Sequence, residues 1–183
     1  MAPSDETLME AVANGQLNQL AELFRRYRAP LYTFLFRRTN GNQVVAEDTL
    51  QDTFERVLKY RSSYRSGQTF KSWVFTIARN VLADHHRQQG RIPISDDFDW
   101  QALNVATASP LAKLETSEQQ NQLQAAISCL SPSYREVLDL AWKRELKYAE
   151  IAQILGTTEG NIKVRMHRAC KQLQTHYQKL SQR

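Results

Sequence analysis

Residues Lys147 to Leu173, KYAEIAQILGTTEGNIKVRMHRACKQL, read as two short helices broken by a turn at Gly156. Tyr148, Ile151, Ala152 and Leu155 stand at helical spacing, so one face is apolar, and Leu155 leads straight into a glycine stop. Thr158 restarts the chain, its hydroxyl placed to cap the free N–H groups of a second helix. That helix carries an apolar stripe of Ile162, Met166, Ala169 and Leu173 and an opposite face of Lys163, Arg165, His167, Arg168 and Lys171. A short helix braced on one side and cationic on the other suits the DNA major groove, which admits a helix. The plainer alternative is a helix-turn-helix whose basic face is merely solvated. Turn, cap and charge together favour DNA.

The whole chain sets the bounds. With 183 residues, 42% of them hydrophobic, it can bury one good core or two small ones. A mean hydropathy of -0.56 and the lack of a long apolar run argue against a membrane span. The opening MAPSDETLMEA shows no cationic start followed by an apolar stretch, so a cytoplasmic protein is expected. Cys129 and Cys170 are too few for a disulfide framework, and His167 with Cys170 lacks the further ligands a metal site needs. The net charge of +5 fits an anionic partner, and its distribution is more telling. From Asn161 onward the ionisable charges are all basic: Lys163, Arg165, Arg168, Lys171, Lys179 and Arg183. From Arg61 to Arg91, Arg61, Arg65, Lys71, Arg79, Arg87 and Arg91 face only Asp84. Between these basic stretches acids prevail, at Asp96, Asp97, Asp99, Glu115 and Glu118.

In chain order, Ser4 caps a predicted first helix from Asp5 to Asn14 with Leu8, Met9 and Val12 on one face. Leu17, Leu20, Leu23, Phe24 and Tyr27 predict a second helix up to Pro30, which is expected to open a third over Leu31 to Arg38. Ala46 to Tyr60, AEDTLQDTFERVLKY, is a strong helix with Leu50, Phe54, Val57 and Leu58 inward. Its other face gathers Glu47, Asp48, Gln51, Asp52 and Glu55. Complementing the helix dipole would account for Glu47 and Asp48 but less well for Asp52 and Glu55. A carboxylate metal cluster, hence a nuclease, is a weaker alternative because no His or phosphate-cradling loop accompanies it. Arg61 to Gln68, RSSYRSGQ, reads as a loop and Thr69 as the cap of a helix with Phe70, Trp73, Val74, Ile77, Ala78, Val81 and Leu82 inward. Tyr64, Phe70 and Trp73 among cations and amides suit single-stranded nucleic acid, where an unstacked base packs on an aromatic ring. Phe70 and Trp73 also read as core, which leaves Tyr64 as the better stacking candidate. Residues 89–114 read as a linker in which Trp100 has no evident task. A helix near Ser117 with Leu123, Ala126, Ile127 and Leu130 inward precedes one opened by Ser131 and Pro132 that contains Val137, Leu138, Ala141 and Trp142.

In this order the motifs resemble a bacterial RNA polymerase sigma factor of the extracytoplasmic-function group of the sigma-70 family, over nearly the whole chain. AEDTLQDTFERVLKY resembles the region-two helix that binds the clamp helices of the largest polymerase subunit. FKSWVFTIARNVLADHHRQQGR resembles the part that melts and reads the minus-ten element. LSPSYREVLDLAWKRELKYAEIAQILGTTEGNIKVRMHRACKQL is similar to region four, the reader of the minus-thirty-five element.

The resemblance implies an all-α chain: two small helical domains, a region-two bundle over 1–90 and a region-four helix-turn-helix over 117–183, joined by a flexible acidic linker over 91–116. It implies a non-enzymatic initiation subunit without cofactor or metal. Its implied partners are core polymerase, promoter DNA in duplex and single-stranded form, and an anti-sigma factor. Glu47, Asp48, Gln51, Asp52 and Glu55 would form the polymerase-docking face. Tyr64, Arg65, Phe70, Lys71, Trp73, Arg79, Asn80 and Arg87 would meet the minus-ten DNA, the loop and Asn80 capturing a flipped base of the non-template strand. Thr158, Lys163, Val164, Arg165, His167, Arg168 and Lys171 would meet the minus-thirty-five DNA, with Arg165 on phosphate or bracing the domain. The chain departs from the family pattern at Lys147, where a Ser or Thr cap is common, at Val164, which replaces a small polar residue, and at Cys170, which replaces an Arg. A free-standing helix-turn-helix regulator is the alternative, and it leaves the acidic helix and the aromatic loop without a task.

Overall fold

Apolar side chains recurring at helical spacing give helices throughout, and among the described residues there is no strand. The structure, a computed structural model, describes residues 2–88, 113–141 and 146–181. The first unit comprises α1 (Asp5–Ala13), α2 (Gln19–Arg38), α3 (Gln43–Lys59), a single 3-10 turn (Arg61–Ser63) and α4 (Phe70–Gln88). The second comprises α5 (Lys113–Ser128), α6 (Pro132–Ala141), α7 (Tyr148–Leu155) and α8 (Glu159–Ser181). Trp100, Trp142 and most of the 91–116 connection lie outside the described residues.

Side-chain caps start several of these helices. Ser4 Oγ accepts the Thr7 N–H at 3.1 Å, and Asn42 Oδ1 accepts that of Val45 at 3.1 Å. Thr69 Oγ1 accepts the Ser72 N–H at 3.3 Å, as expected of the cap before α4.

Pro30 departs from expectation. It does not open a helix; α2 runs through it without a break from Gln19 to Arg38. Proline inside a helix removes one hydrogen bond and crowds the preceding turn, at a cost of about 3 kcal/mol. The flanking side chains outweigh that cost, because Leu23, Tyr27, Leu31, Phe34 and Leu35 are all buried, each worth roughly 1.5–3 kcal/mol. α3 likewise starts earlier than predicted, at Gln43 instead of Ala46, and α5 opens at Lys113, ahead of Ser117.

One core serves both units. Buried side chains of α1 to α4, including Met9, Leu31, Phe70 and Val74, continue into Val137 and Leu140 of α6, Ile151 and Ile154 of α7 and Ile162 of α8. A smaller cluster joins Ile127 and Leu123 of α5 to Leu173 of α8. Charge reinforces the junction: Glu136 of α6 accepts a hydrogen bond from Arg79 Nε at 3.0 Å, and Arg38 approaches the same carboxylate at 3.6 Å.

Candidate nucleic-acid interface

The helix-turn-helix forms where its residues predict it. Gly156 ends α7 at φ 62, in the left-handed region open to glycine, and the Thr157 N–H closes back on the Ala152 carbonyl at 2.9 Å. Thr158 Oγ1 then accepts the Asn161 N–H at 3.2 Å and caps α8. Lys147 supplies no side-chain cap for α7. Glu150 compensates, its Oε2 accepting the Lys147 N–H at 2.6 Å. The buried face of α7 also differs from the single predicted stripe: Ile154 is buried with Ile151 and Ala152, whereas Tyr148 is 37% exposed. α7 packs against α4 as well as α8, so its apolar arc is wider than one stripe.

α8 divides cleanly. Ile162 and Ala169 are fully buried, with Met166 and Leu173 partly so. Lys163, Val164, His167, Arg168 and Lys171 are exposed, as is the capping Thr158, while Arg165 is half-buried. Lys163 is already occupied: Glu159 lies one turn earlier at 2.7 Å and raises the lysine above its usual range, chiefly through that hydrogen bond. The pair is exposed and screened by solvent, so it is weak and yields easily to a better acceptor.

On α3 the first turn, Gln43 to Ala46, contains no acid, so dipole complementation does not explain Glu47 and Asp48. Glu47, Asp48, Gln51 and Glu55 are exposed along one face. Glutamine amides steady two of them, Gln43 donating to Glu47 at 3.2 Å and Gln51 to Glu55 at 3.1 Å. Asp52 stands apart from the others. It is half-buried and bonds His85 Nε2 of α4 at 2.8 Å. Nearby, Asp84 joins Arg56 at 2.6 Å and Arg87, and the Arg56 hydrogen bond holds its carboxyl below the usual range.

The aromatic loop is arranged differently from the sequence-based expectation. Tyr64 is only 8% exposed and is not a free stacking platform. Its ring packs edge-on against Trp73 at 5.2 Å and Phe70 at 6.4 Å, and its hydroxyl donates to the Gln68 carbonyl at 2.6 Å. Burial pushes this phenol up to about 12. Phe70 and Trp73 are buried too, as their core reading predicts. Arg65 and Asn80 are exposed and Lys71 half-buried, whereas Arg87 is held by Asp84 and Arg79 by Glu136. Sequence reasoning missed Glu136, His85 and the acids of α1 that reach this loop. Their partners lie 33 to 64 residues away in sequence, beyond any local pattern.

Comparison with known proteins agrees with the order of these parts. Residues 23–92 match the family model of Sigma-70 region 2, and residues 120–173 match that of Sigma-70, region 4. The chain is 33% identical to the ECF RNA polymerase sigma factor SigE of Mycolicibacterium smegmatis, over 98% of this chain and 71% of that one. It is 34% identical to the ECF RNA polymerase sigma factor SigM of Bacillus subtilis, over 85% of this chain and 93% of that one. The chain belongs to the ECF sigma factors of the sigma-70 family. As a sigma factor it directs transcription initiation by RNA polymerase, and a free-standing helix-turn-helix regulator is not favoured. Solved structures agree with this sigma factor in fold. CnrH, determined in complex with the cytosolic domain of CnrY, superposes with a TM-score of 0.67 at 22% identity, covering 94% of this chain and 96% of that one. The sigma factor RpoE of Bartonella quintana, determined with the anti-sigma factor NepR, gives 0.62 at 23% identity, covering 86% and 97%.

Proposed function

We propose that this sigma factor divides its work among three surfaces, with module boundaries at 1–90, 91–116 and 117–183. The exposed acids Glu47, Asp48 and Glu55, with Gln51, dock on the clamp helices of the largest polymerase subunit. Asp52, tied to His85, contributes by fixing α3 against α4 and lies at the margin of that face. The Arg61 to Gln68 loop and Asn80 meet the non-template strand of the minus-ten element. In this reading Tyr64, Phe70 and Trp73 form the wall against which the strand lies, and Arg65, Lys71 and Asn80 supply the polar contacts; Arg79 and Arg87 join them once their carboxylate partners are displaced. The outer face of α8 enters the major groove at the minus-thirty-five element, Lys163 and Arg168 reaching guanine edges, His167 beside them and Val164 against a thymine methyl. Thr158, Arg165 and Lys171 serve the phosphates.

The observation that carries this reading is the division of α8, where the four groove-facing candidates Lys163, Val164, His167 and Arg168 stand free of the core while Ile162 and Ala169 are fully buried beneath them. Each reader alone binds weakly; held on one polymerase, the second contact becomes effectively intramolecular. No catalytic step, cofactor or metal belongs to the chain in this scheme. It acts beside polymerase in the cytoplasm, and among its described residues no helix is long and apolar enough to cross a membrane. An anti-sigma partner is part of the proposal, supported by the likeness to RpoE in its complex with NepR.

Association with purified core polymerase tests the first surface: Asp48→Lys should weaken it at least tenfold, and undiminished association would refute that docking face. Run-off transcription from a library of upstream sequences tests the other two, with promoter-selective transcripts expected only when the chain is present.

A further inference from the structure

The match to region 2 begins at residue 23, so α1 precedes it. α1 is nevertheless firmly seated. Leu8, Met9 and Val12 are buried in the core, and Asp5 accepts hydrogen bonds from Arg26 at 2.6 Å and from the Tyr27 hydroxyl at 2.5 Å. With its inner face and its first residue held by α2, the helix directs its next acids at the loop ahead of α4. Glu10 Oε1 accepts the Ser66 hydroxyl at 2.8 Å. Glu6 Oε1 accepts the Phe70 N–H at 3.3 Å, where the first turn of α4 leaves backbone donors free and its dipole favours an anion.

Between these two tethers the segment closes on itself. Tyr64 donates to the Gln68 carbonyl, Thr69 caps α4, and Gly67 turns at φ +91, a conformation that glycine adopts without strain. A loop anchored this closely loses little further conformational freedom when it receives a strand, whereas a loose one would be ordered at the expense of affinity.

We propose that α1 is a positioning element for minus-ten recognition, in which Glu6 and Glu10 hold the Tyr64–Phe70 segment in the shape that meets the non-template strand. The inference rests on assigning that segment to the minus-ten element. Glu10 acts through an acceptor oxygen on the Ser66 hydroxyl, so the neutral amide is a suitable substitute there.

The experiment uses polymerase holoenzyme assembled with the full chain and a fork-junction DNA library whose non-template strand is randomised and single-stranded. Glu10→Ala should weaken fork binding about fivefold, the size of one lost hydrogen bond, and Glu6→Ala with Glu10→Ala should weaken it further. Glu10→Gln should bind within twofold of the unaltered chain. Ser66→Ala should cost about as much as Glu10→Ala, and the two combined should cost no more than either alone. Binding to duplex DNA carrying only upstream sequence, and association with core, should not change. Fork binding unaffected by Glu10→Ala overturns the proposal, as does additivity of the Ser66 and Glu10 substitutions. Tighter binding by both Glu10→Ala and Glu10→Gln also overturns it, because the carboxylate would then act only by repelling phosphates. Arg65→Ala with Asn80→Ala separates the underlying assignment: if this pair leaves fork binding intact, the segment does not read the strand and both readings fall. If it weakens fork binding and the α1 variants do not, only the positioning role falls.

Discussion

Arg79 of α4 and Glu136 of α6 meet at 3.0 Å, joining the unit that contains the aromatic loop to the unit that contains the helix-turn-helix. Arg38 lies on the same carboxylate at 3.6 Å, and the three line a cavity with Phe34, Leu82, Ala83, His86, Pro132 and Ser133. Glu136 is 14% exposed and Arg79 40%, so solvent screens the pair and keeps its worth near the upper end of surface ion pairs, about 1 kcal/mol. Glu136→Ala should lower the urea midpoint accordingly and enlarge the radius of gyration measured by small-angle scattering. In a double-mutant cycle with Arg79→Ala the losses should be clearly non-additive.

Asp139 lies at the same junction and should give it a pH dependence. Burial pushes its carboxyl up to about 6, against the lowering pull of Arg37, Arg38 and Arg135 and with a small push from Glu136. A carboxyl raised in the folded state favours folding when neutral, so its contribution is complete below its ordinary value of 3.8 and is lost as pH rises through about 6. Between pH 7 and pH 5 the unaltered chain should therefore gain stability relative to Asp139→Asn. Taking the difference between the two proteins cancels the contributions common to both, and equal slopes in denaturant melts would contradict the assignment.

On α8, Arg168→Ala and Lys171→Ala should fail in different ways. Loss of a base contact removes about 1–3 kcal/mol and relaxes sequence preference at one position, so Arg168→Ala should flatten selection from an upstream library while core association persists. Lys171→Ala should instead weaken all sequences alike and reduce the salt dependence of binding by about one ion. Competition binding across a salt series distinguishes them.

If Lys163 meets DNA as proposed, Glu159, which holds it at 2.7 Å, competes for it. Glu159→Gln releases the lysine from an exposed pair and should tighten upstream binding roughly twofold at low ionic strength. The gain should shrink as salt rises, and a loss of affinity at every salt concentration would show that Glu159 is needed to orient Lys163.

What the sequence made legible was local. Gly156, Thr158 and the stripe from Ile162 to Leu173 are neighbours along one helix-turn-helix, so spacing alone placed them, and the structure agrees. Pro30 was misread because its effect depends on how much apolar surface the residues on either side bury, which no window around the proline reports. Tyr64 looked free because its loop lacks periodic apolar residues. The rings that cover it come from the following helix, and its hydroxyl is satisfied by a carbonyl within its own turn. The acids of α3 were legible as an anomaly, but the separate position of Asp52 required knowing that His85 lies across from it.

Because α2 continues through Pro30, its two ends are mechanically one part. Near its start Arg26 and Tyr27 hold Asp5 of α1, and at its end Arg38 approaches Glu136 of α6, about 18 Å farther along a helix that rises 1.5 Å per residue. A hinge at the proline would have let each end settle independently. A continuous helix instead makes a lever: a tilt that draws Arg38 away from α6 swings the seat of α1 at the other end, and the Tyr64–Phe70 segment hangs from α1.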